Sequence, residues 1–263
     1  MLFTIVTVCF NSVGTIRKTF DSILEQDFDD YEYIVVDGAS TDGTVELIKE
    51  YEPKFNGRMR YLSEKDNGIY DAMNKALKMA NGDFVNFMNS DDYFEANALS
   101  NTAKWIGEHP CAGVYYGFSR FLNSDGQEFC ITRKNHNALS SCKHMINHQA
   151  IFMRRDLFEK YGNFSTQYRI VADNVLLLKV YKGGEVFSPM PHLIVNYRND
   201  GLSSNQKNWK KLRDERLQMK VELGFADAKA TEQMLHEERV CMKVNSIVSR
   251  LLYIGRRIFG IFK

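Results

Sequence analysis

The feature that most constrains the fold is a regular alternation of short apolar runs with amphipathic segments over the first hundred residues. The segments between the runs carry apolar residues at helical spacing, and the connections are short. The apolar runs cover residues 3–10, 33–36, 59–62 and 83–88. This alternation predicts an α/β fold with a mixed, mostly parallel sheet, right-handed crossovers and helices on its faces.

Helical segments are predicted between these strands and again toward the end of the chain. Ser12 is expected to cap the first helix, and Asn81-Gly82 to close the third. The other helices are expected over residues 44–51, 68–80 and 173–181, and from residue 207 onward. Later strands are expected over residues 113–122, 128–132 and 186–197.

Composition narrows the functional classes. Among the 263 residues, 34 Lys and Arg face 33 Asp and Glu, so the net charge of +1 creates no global field that would bind nucleic acid. The five cysteines are odd in number and contain no C-x-x-C pair. These counts argue against a disulfide scaffold or a zinc site, and they favour a reducing cytoplasm.

Polar side chains follow several of the predicted strands. In an open α/β sheet, ligands bind beyond the carboxyl ends of the strands. The residues at these positions are Asn11, Asp37, Asp66, Asp91 and Asp92. We therefore expect several carboxylates along one rim of the sheet.

The sequence Asn89-Ser90-Asp91-Asp92 after the fourth strand is the strongest local signal for chemistry. Adjacent carboxylates can hold a hard divalent cation and, through it, a diphosphate, because Mg²⁺ needs only one or two protein carboxylates. The alternative is a solvated turn in which an aspartate caps the next helix.

Two further loops can be interpreted either as ligand-binding segments or as ordinary solvated turns. In residues 37–44, Asp37 could accept a hydrogen bond from a base, or the loop could be a turn with a helix cap. In residues 64–74, Lys65 and a helix N-terminus suit anions, or the loop is only solvated. Neither a P-loop nor a G-x-G-x-x-G dinucleotide motif occurs.

Together, these segments resemble family 2 glycosyltransferases of the GT-A type. The resemblance extends over about residues 3–200. It is carried by residues 4–12, 34–44, 64–74 and 81–92 and by His148-Gln149-Ala150. It implies a GT-A domain over residues 1–205, with a nucleotide-binding part to about 95 and an acceptor part from 96, and a helical extension over 206–263.

The resemblance also implies the ligands and their contacts. It predicts a nucleotide-sugar donor, usually UDP-linked, a Mn²⁺ or Mg²⁺ ion, and inversion at the anomeric carbon. Asp92 is the implied direct metal ligand, and Asp91 is the acid beside the ribose and the metal. Further donor contacts are implied for Val8, Phe10, Asn11, Asp37, Lys65, Asp66, Gly68, Asn74, His148, Gln149 and Arg198. For His148 a place in a core strand is the alternative, and for Arg198 a surface turn.

The implied catalytic base is Asp173, at the start of a predicted helix, where a helix cap is the alternative role. It would take the proton of the acceptor hydroxyl while the cation offsets the growing charge on the diphosphate. Three positions depart from the usual family pattern: Ala172 replaces Glu, Asn89 replaces Asp, and Gly38 replaces a second Asp.

The pattern looks most like transferases that build bacterial surface polysaccharides of the colanic-acid or O-antigen type. Residues 244–263 place apolar side chains on one half of a helix and arginines on the other. Such a helix can lie in an anionic membrane surface, beside a glycan or lipid-linked acceptor, or it can pack on the catalytic domain or on a second copy in a homodimer. The alternative function is a nucleotide-sugar-binding partner without transferase activity.

Overall fold

The computed structural model describes residues 1–123, 125–132, 136–141, 145–198 and 206–225. The chain divides into two compact units, residues 1–212 and 213–263, of which the second is described only to residue 225. The predicted domain boundary after residue 205 and the amphipathic tail of residues 244–263 lie outside the described residues. None of the described helices has both the length and the apolar character needed to cross a bilayer.

The first half of the protein alternates strand and helix as predicted. Strands and helices follow one another in the order β1 Phe3–Cys9, α1 Ile16–Leu24, β2 Tyr31–Asp37, α2 Thr44–Tyr51, β3 Met59–Ser63, α3 Ile69–Met79 and β4 Phe84–Phe87. All seven residues of both β1 and β2 are buried, which explains their nearly continuous apolar sequence.

The second half is less regular. Its elements are β5 Tyr93–Phe94, α4 Ala98–Glu108, β6 Val114–Leu122, β7 Glu128–Thr132, β8 Ile151–Arg154, α5 Asp156–Tyr161, α6 Ala172–Lys182, β9 Phe187–Arg198 and α7 Trp209–Glu222. The sequence did not predict β5, α4 or α5. Two of them are too short for a periodic pattern, and α4 buries only Ala98, Leu99 and Thr102.

At two predicted helix ends, Ser12 and Gly82 have roles other than the capping roles expected of them. Helix α1 begins at Ile16 without a side-chain cap, and Ser12 contributes its backbone carbonyl to the N–H groups of Thr15 and Ile16. Gly82 does not close α3 in a left-handed conformation. A Cβ atom at Gly82 would lie 2.5 Å from the backbone nitrogen of Thr4, so glycine is needed for close approach to β1.

The described strands form one mixed sheet in the order β3-β2-β1-β4-β8-β6-β9-β5, and β7 pairs with β6. Strands β1 to β4 run parallel, whereas β8 is antiparallel to both β4 and β6. Strand β9 is parallel to β6, and β5 is antiparallel to β9. The predicted mixed α/β sheet flanked by helices is confirmed.

This topology brings distant parts of the sequence to one edge of the sheet. Strands β1 to β4 all end there, and β8 begins there because it runs antiparallel to β4. Strand β9 ends near the start of β5, since Tyr93 pairs with Asn196. The loops that follow the first four strands therefore meet the turn before β8 and the end of β9.

Candidate active site

Asp37 ends β2 and is completely buried. Its Oδ2 accepts hydrogen bonds from the Ser40 N–H at 3.0 Å and the Ser63 hydroxyl at 2.7 Å, and its Oδ1 accepts one from the Ser40 hydroxyl. The carboxylate thus fastens the loop after β2 to the end of β3. These hydrogen bonds hold the two loops together at the rim of the sheet, and the contact of Asp37 with the base stays a prediction.

Phe10 and Asp66 flank Gly38 at the surface. The Phe10 ring is 64% exposed. A Cβ atom at Gly38 would lie 3.3 Å from this ring and 2.6 Å from Oδ2 of Asp66. The glycine therefore leaves room for the carboxylate beside the ring. An exposed aromatic ring next to a hydrogen-bond acceptor is suited to stacking and recognising a nucleoside base.

Three other predicted donor contacts lie on the same rim. Asn11 has a left-handed backbone, and its Oδ1 accepts a hydrogen bond from the Thr41 N–H at 3.0 Å. Gly68, also left-handed, donates its N–H to Oδ1 of Asp66 at 2.8 Å and begins α3. Lys65 is exposed. These residues shape the loops around the candidate base site.

Two predicted donor contacts have structural roles in this arrangement. Val8 is buried within β1, opposite Val36 of β2. Both polar atoms of the Asn74 side chain bond the backbone of Phe164, with Nδ2 to the carbonyl at 2.8 Å and Oδ1 to the N–H at 3.0 Å. Asn74 therefore joins α3 to the segment between α5 and α6, and its contact with the donor stays a prediction.

Asp92 is only 1% exposed, and it forms hydrogen bonds with three separate segments of the chain. Its Oδ2 accepts a hydrogen bond from Nε2 of Gln149 at 2.7 Å, and its Oδ1 accepts one from the Arg198 N–H at 2.8 Å. The Thr19 hydroxyl donates to its backbone carbonyl at 2.7 Å. Both carboxylate oxygens accept a hydrogen bond from a protein donor and each keeps a further lone pair, and the role of Asp92 as the direct metal ligand stays a prediction.

Asp91 is the more exposed of the two adjacent carboxylates. Burial raises the pKa of Asp92 well above its usual range, and the negative charge of Asp91 raises it further. Asp91 is partly exposed, so it can face a ligand. One carboxylate, with Asn89 and Ser90 beside it, fits a Mg²⁺ or Mn²⁺ ion that takes its other ligands from phosphate and water. In the described part of the chain, no three His, Cys, Asp or Glu side chains are grouped closely enough to bind a metal by themselves.

Asp173 lies in the first turn of α6, where two side chains hold its carboxylate. Its Oδ1 accepts a hydrogen bond from the Tyr70 hydroxyl, and its Oδ2 lies opposite Nδ1 of His148, each at 3.0 Å. Burial alone would raise the pKa of Asp173, but the hydrogen bond and charge of His148 outweigh it, with help from the Asn174 N–H and Tyr70. The pKa is therefore held below its usual range, and the carboxylate is ionised at neutral pH.

His148 connects Asp173 to the motif of residues 89–92. Its Nε2 lies 3.4 Å from Oδ1 of Asn89, while its Nδ1 faces Asp173. His148 belongs to a short 3-10 turn, His148–Ala150, and so does not lie within a strand. The turn is at the shared sheet edge because it leads directly into β8.

Arg198 and Gln149 reach this site through Asp92, as described above. The sequence missed the roles of Tyr70 and Thr19. Tyr70 stands in a segment that the sequence singled out, but its partner Asp173 is 103 positions away. No local spacing signals such a contact, and only the folded sheet brings the two together.

The comparisons with known proteins identify the family of the chain. Residues 4–162, more than half of the chain, match the family described as Glycosyl transferase family 2. The PGL/p-HBAD biosynthesis glycosyltransferase of Mycobacterium bovis (strain BCG / Pasteur 1173P2) is 31% identical over 230 residues, which cover 85% of this chain and 87% of that protein.

Two solved structures share the fold. TarS residues 1–349 of S. aureus in complex with UDP-GlcNAc have a TM-score of 0.69 at 23% identity, covering 90% of this chain and 71% of that one. The mannosyltransferase of Pyrobaculum calidifontis with GDP-Man and Mn²⁺ has a TM-score of 0.68 at 18% identity, covering 96% and 80%. The predicted enzyme class is confirmed: the chain belongs to glycosyl transferase family 2 and is a glycosyltransferase with a GT-A fold.

Proposed function

We propose that this enzyme transfers a sugar, with inversion, from a UDP-linked donor to a hydroxyl group of a glycan or lipid-linked acceptor during synthesis of a bacterial surface polysaccharide. One observation carries the proposal. Asp173 and the 89–92 motif are joined through His148 by contacts of 3.0 and 3.4 Å. The mycobacterial relative named for PGL/p-HBAD biosynthesis and the TarS structure with UDP-GlcNAc support the acceptor and donor classes.

The donor nucleotide is proposed to bind across the ends of β1, β2 and β3. The exposed ring of Phe10 offers a stacking face, and Asp66 beside it can accept a hydrogen bond from the base. Asn11 and Gly68 shape the adjacent loops, and Lys65 supplies a positive charge at the rim. These contacts direct the diphosphate toward the ends of β4 and β9.

Asp91 is proposed to hold the Mn²⁺ or Mg²⁺ ion, with Asp92 fixing the loop beneath it. When bound, the ion offsets the negative charge that develops on the departing diphosphate. Arg198 is proposed to face the same diphosphate, because its N–H is anchored on Asp92 at the end of β9. The neighbouring structure with GDP-Man and Mn²⁺ supports use of a divalent cation in this fold.

Asp173 is proposed to act as general base. The acceptor oxygen attacks the anomeric carbon as its proton passes to Asp173, and the bond from that carbon to the diphosphate oxygen breaks. A single displacement inverts the anomeric centre. An ionised carboxylate held by two side chains is ready for this role, and such a base contributes about 10²–10⁴-fold to the rate.

We propose that the enzyme works at the cytoplasmic face of the membrane and contacts it through the basic amphipathic segment of residues 244–263. The apolar half and the arginines of that segment in the sequence support this location. A homodimer formed through the same segment is the competing arrangement, and sedimentation with and without anionic vesicles distinguishes the two.

A donor screen with the full chain tests the proposed function. Purified protein is incubated with UDP-, GDP- and dTDP-sugars and Mn²⁺, with a chelator as control, and release of nucleoside diphosphate is measured. We expect slow release from at least one UDP-sugar and none after chelation. No release from any donor, with or without cell-wall acceptors, would contradict the proposal, and release from GDP-sugars alone would overturn the donor assignment.

A further inference from the structure

We infer that His148 is a positioning residue, which holds the Asp173 carboxylate at a fixed distance from the 89–92 motif. This inference deepens the proposed function and rests on it. The imidazole lies between the two groups, with Nδ1 3.0 Å from Oδ2 of Asp173 and Nε2 3.4 Å from Oδ1 of Asn89. A rigid ring that contacts both sides fixes their separation in a way that two flexible side chains would not.

The direction of the bond to Asp173 follows from its chemistry. An ionised carboxylate has only acceptor sites, so Nδ1 of His148 carries a proton and donates it, and the contact of Nε2 with Oδ1 of Asn89 is a hydrogen bond only when Nε2 carries a proton as well. Tyr70 donates to the other oxygen, and the two donors together define the plane of the carboxylate. These hydrogen bonds fix the orientation in which the carboxylate would meet the incoming hydroxyl group.

The turn that carries His148 is itself anchored from two sides. The next residue, Gln149, is 2% exposed and donates to Asp92. Asn86, fully buried in the middle of β4, donates through Nδ2 to the backbone carbonyls of Gln149 and Ile151, both at 2.8 Å. These hydrogen bonds therefore hold in place the backbone that carries the imidazole.

The surroundings of the pair are largely apolar. His148 and Asp173 line a small pocket together with hydrophobic side chains, which include Phe87, Ile146, Ile151, Phe158, Phe164 and Leu177. Low local polarity strengthens a hydrogen bond and keeps competing water away from it. This environment favours a well-defined geometry for the His148–Asp173 contact.

Two substitutions separate the two contacts of the ring. The amide nitrogen of asparagine lies near the position of Nδ1, so His148→Asn keeps a donor to Asp173. The amide of glutamine lies near Nε2, so His148→Gln keeps the contact with Asn89 and loses the bond to Asp173. His192→Gln is the matched control, since His192 packs edge-on against Trp105 away from Asp173.

The experiment measures kcat, donor KM and melting temperature for the three variants with the donor that wild type uses best. We expect His148→Gln to lower kcat by about 10²-fold, the loss typical of a misplaced reacting group. Donor KM should change less than about threefold, and His148→Asn should recover most of kcat. Equal loss of kcat in both His148 variants would overturn the inference, as would a rise in donor KM that accounts for the loss. An inactive wild type would instead count against the proposed function.

Discussion

Asp91 and Asp92 are neighbours in sequence, yet their side chains have opposite environments. Asp92 is buried, and both of its oxygens accept hydrogen bonds, whereas Asp91 is partly exposed. The structure therefore divides a motif that the sequence treats as one unit. Asp91 is proposed to hold the cation, and Asp92 joins the surrounding loops through its hydrogen bonds.

Asp91→Asn and Asp92→Asn should therefore fail in different ways. Asp91→Asn is expected to lower metal-dependent turnover at least 10-fold with an unchanged melting temperature. Asp92→Asn is expected to cost about 1–3 kcal/mol of stability, because an amide cannot accept from Gln149 and Arg198 as the carboxylate does. Turnover with graded Mn²⁺ and thermal melting check both. A destabilised Asp91→Asn beside a fully stable Asp92→Asn would reverse the assignment.

The low pKa of Asp173 predicts a particular pH profile for kcat. His148, Tyr70 and the Asn174 N–H face this carboxylate and, against the opposing effect of burial, keep its pKa below the usual value of about 3.9. Because the base is ionised above that pH, kcat should stay level from pH 8 down to about pH 5. Turnover in matched buffers measures this. An acid limb centred above pH 5 would show a different protonation state.

The sequence identified most residues of the site, but not what each of them contacts. Asp37, Asp66, Asp91 and Asp92 were found because each follows an apolar strand, whereas Asp173 was identified through the family resemblance. The pairing of Asp173 with Tyr70 and the burial of Asp92 depend on contacts across 57 to 106 positions. Sequence spacing carries no information about such contacts.

At the scale of elements, Glu32 ties the start of β4 to β1, β2 and β3. Its carboxylate accepts hydrogen bonds from the Thr4 hydroxyl at 2.7 Å and from the N–H of Asn81, and it pairs with Arg60. Burial alone would raise the pKa of Glu32, but these bonds outweigh it and the pKa is lowered. The buried carboxylate of Glu32 thus connects four strands at the edge of the sheet opposite the site.

Glu32→Gln should lower stability in a pH-dependent way. A lowered pKa in the folded state adds stability above the unfolded pKa of about 4.3, and this stability is lost as pH falls through the folded value. We expect a loss of about 1–3 kcal/mol at pH 7 that shrinks below about pH 4. Glu50→Gln, at an exposed ion pair, is the control. Chemical denaturation at several pH values measures the difference, and a constant difference across pH would contradict it.

The strands and helices were predicted most accurately where the apolar pattern of the sequence is strongest. Strands β1 to β4 and helices α2 and α3 were predicted to within about two residues, because their apolar pattern is clear, whereas α1 begins three residues later than a cap at Ser12 predicted. Strand β5 and helix α5 were missed, since two and six residues cannot display a period. The order of β8, β6, β9 and β5 could not be predicted, because mixed strand pairing follows no local rule.

At the scale of the whole molecule, the burial of β1 predicts selective thiol chemistry. Cys9 lies inside the sheet, where burial and the charge of Asp37 raise its pKa, whereas Cys111 and Cys130 are exposed. A thiol reagent should modify Cys111 and Cys130 in the folded protein and reach Cys9 only after unfolding. Mass spectrometry of labelled peptides checks this. Labelling of Cys9 at the rate of Cys130 would show that the first strand is open.

The proposed mechanism requires that the fold bring the Asp173 carboxylate to the proposed nucleotide-sugar site at the ends of the first four strands. The most direct test compares wild type with Asp173→Asn for sugar transfer and for donor affinity. We predict a fall in transfer of about 10²–10⁴-fold, with donor Kd and melting temperature unchanged. Transfer at the wild-type rate, or a loss of donor binding as large as the loss of transfer, would contradict the central claim.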